Sequence, residues 1–305
     1  MANVVQLFTQ TEPNEAARRA NSLSLSQGTE TSPDGPVAVA LMDSIAAPDM
    51  APGSLGEHIS LSGLGLASLG LGSQLRVGSA LLTVTAAARA GHQTNSVLSR
   101  GGVLAEVLEA GEVLPGDNAS VVRAVPRDTF QAVVLTISDR CSRGEDVDTA
   151  GPLVAQLLMD SFAPNIFRTE IIPDEREWIA RRLVTFSDHF GVDLIVTVGG
   201  TGLAPRDVTP EATRDVINKP APGLDEAMRY ASMSKTPFAM LSRGCSGVRG
   251  ATLIVNLPGS ERGAVENLEA IVTALPHGLK KLGGHAADCP CCVRHSLQTA
   301  AVASA

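Results

Sequence analysis

Four places in the chain set small, acidic or hydroxyl-bearing residues directly after an apolar run. Ser138, Asp139 and Arg140 follow the run 131–137, and Asp174 follows 170–173. Gly199, Gly200, Thr201 and Gly202 follow 193–198 and lead into Arg206, Asp207, Val208, Thr209, Pro210 and Glu211. Asn256, Leu257, Pro258, Gly259 and Ser260 close the run that begins at Leu253. Glycines let backbone amides approach an anion closely and accept positive φ. Thr209 before Pro210 fits an N-cap followed by the first helical position. The positive end of that helix would then face its surroundings. Pro258, Gly259 and Ser260 repeat the arrangement, and two such cradles suit a ligand with separate phosphate groups. Asp174 and Asp207 would repel phosphate unless a cation lay between them. That fits Mg²⁺ held by one or two carboxylates together with phosphate oxygens.

Each signal alone has an ordinary reading: a glycine turn, a helix-capping Asp139, a solvent-facing Asp174. Their coincidence on the ends of several strands favours a ligand site, because open α/β sheets bind ligands beyond the carboxyl ends of their strands. No GxxxxGK[ST] segment is present, which excludes a P-loop. Gly63-Leu64-Gly65 and Gly70-Leu71-Gly72 lie outside any strand–helix context and read as turns.

The elements that must position these residues alternate. Continuous apolar runs at 131–137 and 193–198 read as strands buried on both faces. Further strands are expected at 170–173 and 253–256. Helices are expected at 151–161, 175–190, 210–218 and 224–234. A long closing helix is expected over 261–282, interrupted at Pro276. Strand and helix in turn imply a three-layer, doubly wound, mostly parallel sheet over residues 127–284. The preceding part has a different texture. Runs at 37–42, 74–77, 80–85 and 120–125 read as strands, with Gly78-Ser79 as a two-residue hairpin turn. The run 103–108 fits strand or short helix. Residues 36–126 therefore read as a small β-rich barrel, 1–35 as a flexible leader, and 285–305 as a flexible tail.

Of the 305 residues, 44% are hydrophobic and 18% charged, which excludes a fully disordered chain. Lys and Arg number 24 against 32 Asp and Glu, a net charge of -8. A phosphate-backbone binder needs a basic face, so nucleic acid is not an expected partner. Aromatics at 3% leave little for base-stacking platforms. No apolar stretch reaches the roughly 18 residues of a membrane span, and the N-terminus lacks an apolar signal core. A cytoplasmic protein is expected. The five cysteines, three of them crowded at 289–292, do not suggest a disulfide framework.

The segments LTISDRCSRGEDVDTAGP, IIPDE, DLIVTVGGTGLAPRDVTPEAT and PGLDEAMRYASMSKTPFAMLSRGCSGVRGATLIVNLPGS together resemble the MoaB/Mog family, which includes the G domains of gephyrin and of the plant Cnx protein. The resemblance covers nearly all of 130–284 and is closest to the branch that transfers AMP from ATP to molybdopterin, with Mg²⁺, releasing pyrophosphate. It implies a homotrimer, molybdopterin and ATP as substrates, and a molybdenum-insertion enzyme as a further partner. It implies that Asp174 and Asp207 serve metal binding and catalysis. It assigns Gly199, Gly200, Thr201 and Gly202 to the pterin- and phosphate-binding turn. Ser138 and Asp139 match an SD motif, Ser242 and Arg243 an SR motif, and Asn256, Pro258, Gly259 and Ser260 a binding loop. Thr209 belongs with this binding set. The family usually has Pro where this chain has Glu261, an acid tolerated at a helix start but unfavourable near phosphate. Arg206 and Arg243 are candidates to support the leaving group, with structural ion pairing as the alternative.

Residues 53–95 and 101–117 resemble a MOSC domain, a β-barrel module. Some such domains carry a sulfur-handling Cys, but residues 1–140 contain none, which leaves a pterin-binding or structural role. His92 is either a ligand contact or an ordinary core or surface residue. In the tail, His285, Cys289, Cys291, Cys292 and His295 offer zinc ligands, but Cys291 and Cys292 are adjacent, unlike C-x₂-C spacing. An exposed, redox-labile tail is the alternative. Two rivals to the enzyme stand beside it: a non-catalytic molybdopterin carrier and a structural oligomeric scaffold.

Overall fold

The computed structural model describes residues 2–9, 18–25, 37–41, 58–87, 98 and 102–283. His92 and the tail residues His285, Cys289, Cys291, Cys292 and His295 lie outside the described residues. The chain divides into two compact units. One holds 1–133 with 164–168 and 184–192, the other 134–163, 169–183 and 193–305.

In the first unit the strands are β1 (Ala2–Thr9), β2 (Arg18–Ala20), β3 (Leu23–Leu25), β4 (Val37–Leu41), β5 (Ile59–Ser62), β6 (Gln74–Val77), β7 (Ala80–Ala87), β8 (Val103–Glu109), β9 (Gly111–Val113) and β10 (Asn118–Arg123). Eight of them form one sheet in the order β10-β6-β7-β8-β4-β5-β1-β2, and β10 also pairs with β1. That extra pairing, Ala2 with Ala119 and Asn3 with Asn118, curls the sheet round on itself. The pairing is antiparallel apart from β4 with β5. Leu7, Ile59, Leu61, Leu75 and Leu82 are fully enclosed in its core. The expected hairpin is present, with Val77 opposite Ala80 across Gly78-Ser79. The open choice at 103–108 resolves as strand.

The expected flexible leader does not hold for its described residues. Ala2–Thr9 is a strand whose Val4, Leu7 and Phe8 are buried. Its apolar positions repeat too briefly to signal a strand alone, and only pairing with β5 and β10 gives them a core to enter.

The second body of structure is a six-stranded sheet. Its strands are β11 (Gln131–Ile137), β12 (Asn165–Ile172), β13 (Leu194–Val198), β14 (Lys219–Pro220), β15 (Ser246–Arg249) and β16 (Thr252–Leu257), in the order β12-β11-β13-β16-β15-β14. Every residue of β11, β13 and β16 is buried, as their unbroken apolar runs require. The helices are α1 (Asp139–Ser142), α2 (Ala150–Phe162), α3 (Arg176–Val184), α4 (Thr209–Val216), α5 (Pro222–Met233), α6 (Glu261–Ile271) and α7 (Leu275–Leu282). β13 and β16 run parallel, while β15 pairs antiparallel with both β16 and β14.

Three expectations are corrected. β12 begins at Asn165 rather than 170, because it is an edge strand with one polar, partly exposed face and so lacks the apolar run of a central strand. The expected helix 175–190 is α3 followed by a π-helical turn, Thr185–His189. The closing helix is two helices that part at 272–274, ahead of Pro276, which sits in the first turn of α7. There its missing N–H has no partner to lose.

Candidate active site

The chain passes from β11 to β12 on one side and then to β13 on the other. That reversal of strand order opens a crevice beyond the carboxyl ends, where doubly wound sheets bind ligands. The strand ends sit side by side there. Ser138 N–H donates to Ile172 O at 2.9 Å, and Gly199 N–H to Leu257 O at 3.1 Å.

The loops after β11 and β12 lock each other reciprocally. Asp139 N–H donates to Asp174 Oδ2 at 2.8 Å, and Asp174 N–H donates to Asp139 Oδ1 at 3.1 Å. Ser138 Oγ accepts from Cys141 N–H at 3.2 Å and so caps α1. Arg206 reaches across from the third loop and grips both Asp139 oxygens at 2.9 Å and Glu175 Oε1 at 2.9 Å. This guanidinium holds the Asp139 carboxyl below the usual carboxylate range. Asp174 behaves oppositely. Burial pushes its carboxyl up, the Asp139 amide opposes that, and the nearby Asp139 and Asp207 charges add to the rise.

The glycine turn is shaped by its own backbone. Gly199 and Gly200 have φ of 112° and 63°, which a residue with a Cβ rarely adopts. At Gly200 a Cβ would also strike Thr209 Oγ1 and stand 3.0 Å from Asp174 Oδ1. Thr209 is fully buried, and its hydroxyl donates to Gly199 O at 2.9 Å. It therefore closes the loop from within rather than capping the helix, for which Val208 is the N-cap. Asp207 Oδ2 accepts from Ala204 N–H at 2.8 Å. Ser260 Oγ accepts from Gly263 N–H at 3.2 Å and caps α6 as expected. Glu261 is the exposed first residue of that helix.

A cavity of about 500 Å³ opens beside this rim. Of the residues singled out in the sequence, Gly200, Thr201, Gly202, Asp207, Ser242, Pro258, Gly259 and Ser260 line it. Asp139, Asp174 and Thr209 stand behind that lining and brace it. Asn256 is not a rim residue. It is 2% exposed, donates to Thr197 Oγ1 and Thr213 Oγ1 at 2.9 Å each, and accepts from Cys245 N–H at 3.2 Å. Its amide ties β16 to β13 and α4.

The far wall was not legible as a site in the sequence. It comes from α5 and the 3-10 turn Pro237–Leu241, through Arg229, Ser232, Thr236, Phe238 and Leu241. Phe238 is 74% exposed and Leu203, which also lines the cavity, 65%. Glu266 and Asn267 of α6 complete this wall. Glu266 pairs with Lys235 at 3.2 Å and Arg262 at 2.8 Å.

Among the described residues, no three His, Cys, Asp or Glu side chains come together to hold a metal. The donor set is two carboxylates, Asp174 and Asp207, close enough for their charges to oppose each other. A site of that kind fits Mg²⁺, which keeps several open positions for phosphate oxygens and water.

An open α/β sheet with a carboxylate pair beside glycine turns at its switch point is a site of the kind that suits an anionic ligand. A family model described as "Probable molybdopterin binding domain" matches residues 133–277. The Molybdopterin adenylyltransferase of Helicobacter pylori strain J99 is 43% identical over 150 residues, covering 49% of this chain and 85% of that protein. The chain belongs to this molybdopterin-binding family. The Molybdenum cofactor synthesis protein cinnamon of Drosophila melanogaster is 44% identical over 150 residues, 49% of this chain but 25% of that protein. The match thus spans about a quarter of cinnamon's length. Among solved structures, the molybdopterin biosynthesis enzyme MoaB from Thermus thermophilus is 48% identical, with 51% of this chain and 98% of that chain covered and a TM-score of 0.49.

Proposed function

We propose that this chain transfers the adenylyl group of ATP to molybdopterin in molybdenum cofactor biosynthesis. The terminal phosphate oxygen of molybdopterin attacks the α-phosphorus of ATP, the bond to the bridging oxygen breaks, and pyrophosphate leaves. Relatives named molybdopterin adenylyltransferase, at 43% and 36% identity with 85% of their length covered, support the reading. The single observation that carries it here is the pairing of Asp174 and Asp207 beside the Gly199–Gly202 turn, with Asp207 lining a cavity large enough for a small-molecule substrate and Asp174 just behind it.

Such transfer needs alignment and charge neutralisation rather than a protein nucleophile. The turn and the Ser260-capped start of α6 offer backbone amides to phosphate oxygens. Asp174 and Asp207 would hold Mg²⁺, which supplies positive charge to the phosphate oxygens as the leaving group departs. The apolar lip formed by Leu203, Phe238 and Leu241 suits a flat heterocycle. Glu261 is exposed to solvent and does not line the cavity, which supports the enzyme reading over a carrier without turnover.

The finer features rest on the family resemblance. We assign residues 36–126, within the first unit, as a MOSC-like module with a binding or structural role. The unit's curled sheet supports the assignment. We assign the whole chain to a cytoplasmic homotrimer that hands its product to a molybdenum-insertion enzyme. Exposed Tyr230, Met233 and Met240 are available for self-association.

The test is a turnover assay with molybdopterin, ATP and Mg²⁺, following adenylylated pterin and pyrophosphate. Wild-type protein forms both, and Asp207→Asn lowers the rate by about 10²-fold or more while pterin binding persists. Undiminished turnover in the variant would overturn the mechanism.

A further inference from the structure

Arg243 of the SR segment is expected from the sequence either to support the leaving group or to form an ion pair. Three of the five N–H groups of its guanidinium are bonded to the protein, and Arg243 is not among the residues that line the cavity. Nε donates to Gly202 O at 2.6 Å, Nη2 to Asp207 O at 2.5 Å, and Nη1 to Glu211 Oε1 at 2.5 Å. Its backbone N–H donates to Thr201 O at 2.9 Å. Four points of the 201–211 loop thus converge on one residue from a different part of the chain. Burial pushes the Glu211 carboxyl up, but the Arg243 bond, a bond from its own backbone N–H and the Arg243 and Arg214 charges together hold the group below its ordinary range.

Asp207 lies at the centre of this grip. Its carbonyl is held by Arg243, its carboxylate Oδ2 by Ala204 N–H, and its N–H donates to Ala204 O at 2.9 Å. A planar fork that bonds three acceptors at once fixes their relative positions, and a lysine ammonium does not reproduce it.

We propose that Arg243 is a positioning residue: its guanidinium sets the loop that aims the Asp207 carboxylate into the cavity, and it makes no contact with substrate phosphate. The proposal rests on the reading of Asp174 and Asp207 as a cation site. It adds that the affinity of that site is set by a residue whose side chain has no oxygen to offer a cation. Residues that orient metal ligands alter affinity by about 10- to 100-fold when lost, and that is the size of effect expected here.

The experiment titrates Mn²⁺, as a spectroscopic substitute for Mg²⁺, into the full chain and reads free ion by electron paramagnetic resonance. Wild type, Asp207→Asn, Arg243→Ala, the double variant and Arg243→Lys are compared at matched folded fraction. Arg243→Ala is expected to weaken binding by about 10-fold or more. The double variant should bind no more weakly than Asp207→Asn alone, because the two residues act as one unit. Added guanidinium ion should restore part of the affinity to Arg243→Ala, and ammonium ion should not. Glu211→Gln, which keeps the arginine and the fold, should weaken binding by a smaller factor in the same direction. In turnover, kcat and the Mg²⁺ requirement should move while the KM for ATP does not.

Mn²⁺ binding unchanged in Arg243→Ala, with a raised KM for ATP, would overturn the proposal in favour of direct phosphate contact. Equal, additive losses without rescue would overturn it in favour of a merely structural role. Absence of Mn²⁺ binding in the wild type would instead overturn the cation reading of Asp174 and Asp207, and this proposal with it.

Discussion

Asn256 shows how a residue can sit in a binding motif and yet turn its side chain into the sheet. Its amide spends its hydrogen bonds on Thr197, Thr213 and Cys245, inside the sheet. Asn256→Ala would leave those buried groups unpaired at a cost of about 2–4 kcal/mol. Urea denaturation should register that loss, while nucleotide affinity of the folded fraction stays within about 2-fold of wild type. Thr209 makes the same point. A Thr-Pro pair signals a helix start, but the hydroxyl turns back to Gly199 O and knits the glycine loop to α4. Sequence places both residues at the site; only the partners of their side chains separate a group that faces the ligand from one that holds the wall.

At the scale of elements, Arg206 joins the loops after β11, β12 and β13 through a single side chain. It is more than half exposed, so its ion pairs carry little net stability. Its effect is on order rather than on global unfolding. Arg206→Ala should raise amide hydrogen exchange in 138–146 and 202–208 while the Tm moves little. Protection unchanged in both loops would mean the reciprocal Asp139–Asp174 bonds suffice alone. The central elements β11, β13 and β16 were legible because burial on both faces leaves an apolar run with no other good explanation. The full extent of β12, and β15 altogether, were not. One is an edge with a polar face, and the other is four residues, Ser246–Arg249, whose strand character comes from its hairpin with β16. The cavity wall at Phe238 and Leu241 was hidden for a related reason. Apolar residues that face a pocket look, in sequence, like apolar residues that face a core.

For the whole molecule, the charge of -8 sets a condition on any anionic substrate. Long-range repulsion slows the approach of ATP and of a phosphorylated pterin, and the local amides and cation act only at contact distance. Salt should therefore help rather than hinder encounter. Raising ionic strength from about 0.01 to 0.1 M shortens the screening length from about 30 to 10 Å. Stopped-flow association of nucleotide should hold steady or quicken over that range, opposite to the behaviour of a basic nucleic-acid binder. A steep slowing would point to a positive field that the net charge conceals.

One close approach in the rim bears on which sequences can occupy this fold. A Cβ at Gly259 would come within 3.2 Å of the Gly199 Cα, so two main chains touch where the third and fourth loops meet. A Cβ at Gly199 would itself strike Ile137 O, and its φ of 112° suits glycine alone, so Gly199 cannot give way to make room at Gly259. Randomising both codons together should return a Gly–Gly pair and few compensated alternatives. At Gly223 and Gly278 an added methyl would meet open space, and the same library should tolerate alanine freely. The joint between the two loops is thus a fixed point around which the rest of the site's sequence is free to drift.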